Sequence, residues 1–242
     1  AILFADVQAP VALSNVVATA TTAIALTDSA FSGRNAAHFA GLTASAVRLR
    51  GGTLAGVLSG VYHASAIDAG SSLTLDGVAA SSTDTAGHAV KFATVAGSAT
   101  VKGGTFSGNV STAATIVSGA ISGTMAIAGV TVGGGDKYGI SLGNVQSTGA
   151  VTVTGVAVSG CDYGLHLGSG VAAGGTVDID GGAVSAKLRA VLVASTVAGA
   201  VSIRGGAYAA VTSGVTCVAF QCVTTGAVSV NGAAISGGKY AL

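Results

Sequence analysis

The 242-residue chain contains no Glu and no Trp, a single Pro, a single Met and three Cys. Charge is scarce. Nine acids, all Asp, stand against ten Lys and Arg, for a net charge of +1. That near balance gives no electrostatic case for nucleic acid or for an anionic membrane surface as partner. Absence of Trp, with strands about five residues long, argues against an outer-membrane barrel, which needs aromatic girdles and longer strands. Cys161, Cys217 and Cys222, an odd count with no regular framework, do not suggest a disulfide scaffold. Cys217 and Cys222 have an odd separation on one strand-like segment, which puts them on opposite faces. The stretch between Lys102 and Asp136 carries no charge but is rich in Gly, Ser and Thr and includes Asn109, so it is not read as a membrane helix. There is no nucleophile elbow, P-loop, zinc helix or dinucleotide fingerprint, and no cofactor is expected. No segment shows a 3.6-residue pattern long enough for a crossover helix, which argues against ordinary α/β folds.

What the chain does contain is a repeat. Half of its residues are hydrophobic and 39 are Gly, too apolar a composition for disorder. The segments VRLRGGTL, LTLDGVAA, ATVKGGTF, MAIAGVTV, VTVTGVAV, VDIDGGAV, VSIRGGAY and VSVNGAAI place a Gly at 51, 77, 103, 129, 155, 181, 205 and 232. Five of the seven intervals are 26 residues, and the others are 24 and 27. A weaker copy, IALTDSAF, puts Asp28 in the Gly slot. Spacing this regular is the mark of stacked supersecondary units.

Each copy alternates, as in Val151 and Val153 against Thr152 and Thr154, and so reads as a strand with one buried face and one wet face. The Gly permits a bend or a left-handed backbone. A further strand-like stretch follows in each unit: KYGISLGNV (137–145), DYGLHLGSG (162–170), LRAVLVASTV (188–197) and CVAFQCV (217–223). A unit of two or three short strands joined by turns is one coil of a solenoid, with strands of successive coils about 4.8 Å apart. The expected architecture is all-β: a single-chain right-handed parallel β-helix of eight to nine coils over residues 22–242. Residues 1–21 are a lead-in or an incomplete first coil.

Aligned on the repeat, the outward residue before each Gly forms a column: Arg50, Asp76, Lys102, Ala128, Thr154, Asp180, Arg204, Asn231. Its alternating signs would fix register, because a slipped coil would oppose like charges. Asp178 and Asp180, two apart on one strand, share a face at roughly 7 Å. Carboxylates so placed suit an inverting glycoside hydrolysis or a calcium ion, with Arg204 able to neutralise Asp180. A second polar concentration lies at one turn of three successive coils: Asp136 and Lys137, Asp162 and Tyr163, Lys187 and Arg189, with His166 on the adjoining strand. It reads either as a solvated turn with local pairs or as a patch that contacts a sugar or a partner. His38, His63 and His88 recur at 25-residue intervals. If Phe39, Ala64 and Phe92 align, His38 and His63 share a column with Lys91 and His88 lies earlier. These registers do not converge and no carboxylate orients the rings, so no metal site is assigned.

The 26-residue coils, the YGISL and YGLHL segments and the V-x-V-x-G strands resemble right-handed parallel β-helices of the pectin-lyase type. The resemblance covers about residues 22 to 242. That fold is shared by polysaccharide lyases and hydrolases, by phage tailspikes and tail fibres, and by bacterial adhesins, so it does not decide function. The enzymes tend to carry clustered acids with a nearby Lys or Arg, aromatic subsites and long loops, whereas this chain has uniform coils and few aromatics. The expected role is a structural and receptor-binding element of a virion, such as a phage tail fibre or tailspike, able to contact cell-surface glycans. The alternatives are a bacterial surface adhesin, or a secreted polysaccharide lyase or hydrolase using Asp178 and Asp180. Either places the protein on a virion or outside a cell. The segment SGGKYAL at 236–242 repeats the turn that opens KYGISL, so the chain is expected to continue, or to have its C-terminal coil covered by another chain in a homo-oligomer such as a trimer.

Overall fold

The computed structural model describes residues 2–5, 23–28, 30–39, 46–108, 114–134, 137–212, 215–223 and 225–237. These form a right-handed parallel β-solenoid without a helix among the described residues. The solenoid has about seven turns, slightly fewer than the eight to nine expected.

Each coil has three sides. On the first face lie the repeat strands, among them Ala46–Arg50, Ser72–Asp76, Ser98–Lys102, Thr124–Ala128, Ala150–Thr154, Thr176–Asp180, Ala200–Arg204 and Ala227–Asn231. The second face is made of short strands just after the Gly, such as Thr105–Gly108, Ala183–Ala186 and Ala207–Ala210. On the third are His88–Val95, Ala114–Ile121, Tyr138–Leu142, Tyr163–Leu167, Arg189–Val197 and Val218–Val223. Two long strands, Ala30–Phe39 and Thr53–Ile67, run across the second and third faces. Every pairing is parallel and each strand bonds to its counterpart one coil away, so the hydrophobic columns stack in register. Among the described residues no helix is long and apolar enough to cross a membrane.

The interior follows from the alternation. Leu75, Val101, Ile127, Val153, Ile179 and Ile203 form one unbroken inner column, each at most 1% exposed. The marker residue turns the corner between the first and second faces. The eight marker Gly have φ between +57° and +68°, the left-handed region that other residues enter at a cost of about 1–2 kcal/mol. Asp28 holds the same conformation at φ +46°, the one non-Gly with positive φ among the described residues. It also makes the same bond, its N–H donating to the Arg50 carbonyl as that of Gly51 donates to Asp76. Asp tolerates this conformation better than most residues, which explains how the ninth copy departs from Gly without leaving the pattern.

The YG pairs have a separate cause. Gly139 and Gly164 sit where the chain enters the third face, and a Cβ there would lie 2.5 Å and 2.2 Å from the Cγ1 of Val158 and Val184. The Tyr before each Gly points outward, so the same dipeptide tightens a corner and mounts a ring on the surface.

Candidate functional site

The outward column of the first face is as the repeat implies: Arg50, Asp76, Lys102, Ala128, Thr154, Asp180, Arg204 and Asn231 are successive register partners. The close ion pairs, however, run diagonally. Arg48 Nη2 lies 2.5 Å from Asp76 Oδ2, and Arg204 Nη2 lies 2.5 Å from Asp178 Oδ2 but 3.7 Å from Asp180 Oδ2. A guanidinium on a long stem reaches the diagonal neighbour and can hold a carboxylate in a short charge-assisted bond. The Arg48 guanidinium holds the Asp76 carboxyl below the usual carboxylate range. Asp178 and Asp180 thus share one face, and one Arg neutralises both. Glycoside hydrolysis divides two roles between its two carboxyl groups, whereas here both carboxylates are engaged by the same guanidinium.

The second concentration is brought together, apart from Asp136, which lies outside the described residues. Tyr138, Tyr163 and Arg189 are register partners on three adjacent strands of the third face, and His166 is the partner of Ser141. The Tyr138 and Tyr163 rings stack with centroids 5.3 Å apart, and His166 stacks on Tyr138 at 4.2 Å with 16° between planes. Cations flank this stack: Lys137 Nζ is 5.3 Å from the Tyr138 centroid and Arg189 Cζ is 6.0 Å from that of Tyr163. Ser141 Oγ and His166 Nδ1 share a 3.1 Å hydrogen bond that orients the imidazole. Partial burial lowers the His166 pKa, and the Lys137 charge lowers it further. Arg189 Nε is buried without a hydrogen-bond partner. At the turn, Asp162 accepts backbone N–H bonds from Leu188 and Arg189 through its carbonyl, while its carboxylate sits 3.6 Å from Lys187 Nζ. This is an ordered, partly exposed cluster of stacked rings flanked by cations. Its nearest described carboxylate already has a cationic partner.

Tyr138 belongs to this cluster although spacing alone did not single it out; its signal was the YG dipeptide shared with Tyr163. A wider segregation is visible. All four His, with Tyr62, Tyr138, Tyr163, Arg34, Lys91 and Arg189, lie on strands that build the third face, and those strands contain no Asp.

The His row is corrected. Phe39, His63 and Phe92 are partners in an inner column, and His38, Tyr62 and Lys91 in the outward one beside it, so His38 and His63 do not share a column. His88 pairs with Ser59, two positions earlier on its strand than Val90 is on Val61's. Register irregularities between Gly33 and Asn35 and between His63 and Ala66 shift the alignment by one residue, which sends a side chain to the opposite face. Among the described residues no three His, Cys or Asp converge on a possible metal position. Of the thiols, Cys161 and Cys217 are buried and Cys222 is exposed, as the odd separation of the latter two requires.

Comparison of the chain with family models, with curated proteins and with solved structures yields no match.

Proposed function

We propose that this protein is the stiff section of a receptor-binding element on a virion, of the phage tail-fibre or tailspike kind, and that it contacts cell-surface glycans through its third face. The observation that carries this reading is the gathering of Lys137, Tyr138, Tyr163, His166 and Arg189 into one ordered outward cluster on a face whose strands lack acids. Rings, hydroxyls and guanidinium groups held by a rigid sheet are what recognition of a polyhydroxylated ligand requires, because little ordering remains to be done on binding. A bacterial surface adhesin would use the same face in the same way.

The competing reading is a secreted polysaccharide lyase or hydrolase acting through Asp178 and Asp180. A panel of bacterial surface polysaccharides separates the two. Binding without shortening of the chains, weakened by Tyr163→Ala with Arg189→Ala, is the expected result. Depolymerisation that disappears in the Asp178→Ala, Asp180→Ala double variant would replace this reading with the enzymatic one.

A further inference from the structure

The first coils of the third face carry a second constellation, separate from the Tyr138 cluster. The intervening strand, Ala114–Ile121, has no charged residue. Three adjacent strands, Ala30–Phe39, Thr53–Ile67 and His88–Val95, enclose a surface hollow of about 320 Å³ lined by Arg34, Asn35, Ser59, Tyr62, His88 and Lys91. Register explains the assembly. Asn35, Ser59 and His88 are successive partners in one column, and His38, Tyr62 and Lys91 form another. Between Gly33 and Asn35 the facing strand carries one extra residue, from Gly56 to Ser59, so the bulge lies in Thr53–Ile67 at the edge of the hollow.

Two features decide what this hollow can hold. The first is charge: Arg34 and Lys91 both line it and no carboxylate does. Neither cation has an ion-pair partner among the described residues. Asp84, the nearest acid in sequence on that side, turns its carboxylate onto the Ala86 N–H at 2.8 Å. The second is the state of the aromatic ring. One side of Tyr62 is stacked on His38 at 5.1 Å, and Lys91 Nζ stands 5.4 Å from its centroid. The Tyr62 ring is therefore already engaged and is not available as a platform for a sugar face. It seats Lys91 instead. His88 is anchored as well, its Nδ1–H donating to the Ala114 carbonyl at 2.7 Å. A concave site with two positive groups and seated neighbours concentrates positive potential and can meet an oxyanion with a guanidinium fork.

We propose that this hollow is an oxyanion-binding site, which takes one carboxylate, sulfate or phosphate group, free or carried on a molecule of about monosaccharide size. Its volume lies at the small end of ligand sites. Arg34 and Lys91 supply the charge, Asn35 and Ser59 the neutral hydrogen bonds, and Tyr62 fixes Lys91. The inference does not depend on the glycan reading of the Tyr138 cluster.

The test is an amide NMR titration of the full chain at low salt with sodium sulfate, sodium glucuronate and glucose. Saturable shifts at Asn35, Ser59, Tyr62 and His88 with sulfate or glucuronate, and none with glucose, are expected. A response to both anions assigns the site to the anionic group itself. A response to sulfate alone assigns it to free inorganic anion, and one to glucuronate alone to a sugar acid; each supports an oxyanion site. Arg34→Gln and Lys91→Gln should each weaken binding about tenfold or more, the loss of one charge-assisted contact. Lys91→Arg should retain binding, and Lys102→Gln, on the first face, should leave it unchanged. Glucose acting as strongly as the anions, no saturable shift with either anion, or Gln variants that bind like the parent would overturn the proposal.

Discussion

Replacing His63 by Leu tests how the stack of Phe39, His63 and Phe92 is held. His63 is fully buried, and its Nδ1–H donates to the Ser65 carbonyl at 3.2 Å. That bond leaves Nε2 as an acceptor, and it is buried with no partner. An unpaired buried polar atom costs about 1–3 kcal/mol. Leu removes the atom, and the exposed Ser65 can offer its carbonyl to water, so the variant should be about 1–2 kcal/mol more stable at neutral pH. Burial lowers the His63 pKa, the neighbouring His38 lowers it further, and Asp68 and the Ser65 carbonyl oppose them. The sign follows. With the folded pKa below the unfolded one, the unfolded chain binds more protons, so the neutral-His contribution is complete above about pH 6.5 and is lost as pH falls toward the lowered value. The slope for one proton reaches about 1.4 kcal/mol per pH unit. His166 shifts in the same direction and adds equally to the slope of both proteins, so the difference between them reports His63. Amide exchange at Val61, Val90 and Phe92, read from about pH 7.5 down to about pH 5, should show local opening that grows in the parent and stays flatter in His63→Leu. Parallel loss in both proteins would refute the assignment.

Three further outcomes are expected. Gly104→Ala should destabilise by about 2–5 kcal/mol, combining left-handed strain with a Cβ placed 2.1 Å from the Val78 carbonyl, whereas Gly129→Ala, with nothing within 4 Å, should cost only the strain of about 1–2 kcal/mol; urea unfolding gives both values. Tyr208 is buried and its hydroxyl donates to the Gly181 carbonyl at 3.2 Å, so Tyr208→Phe should cost about 1 kcal/mol; ultraviolet titration of the parent should show one phenol held back to about 12 by burial and by Asp180. A thiol reagent should modify Cys222 in the native protein and reach Cys161 and Cys217 only on unfolding; rapid native modification of more than one thiol would contradict the packing.

Much of the fold was legible because a solenoid writes its geometry as a repeat. The spacing of the marker Gly gave the coil, the alternation gave the inner and outer columns, and even Asp28 kept its place. Legibility failed where the repeat is interrupted. Thr53–Ile67 runs over two faces in one strand, and aligning Ala64 with Phe39 and Phe92 misplaces it by one residue. The inward His63 was therefore read as outward. Ion pairing was legible in part: Arg204 does pair with Asp180 at 3.7 Å, but columns identify opposite residues, while Arg48 and Arg204 make their closest contacts across the diagonal. The aromatic cluster was legible in part: the turn patch includes Tyr163 and His166, and register adds Tyr138 on the neighbouring strand, with His166 stacked against it.

The central claim is that ligand recognition runs through the third face. Single Cys reporters, placed in a Cys222→Ser background, test it directly. Ser141 marks the third face, Thr152 the first and Ser185 the second, and all three positions point outward. With a bound surface polysaccharide present, alkylation of Ser141→Cys should slow strongly while Thr152→Cys and Ser185→Cys react at their free rates. Protection of Thr152→Cys, beside Asp178, with Ser141→Cys left reactive would contradict the account.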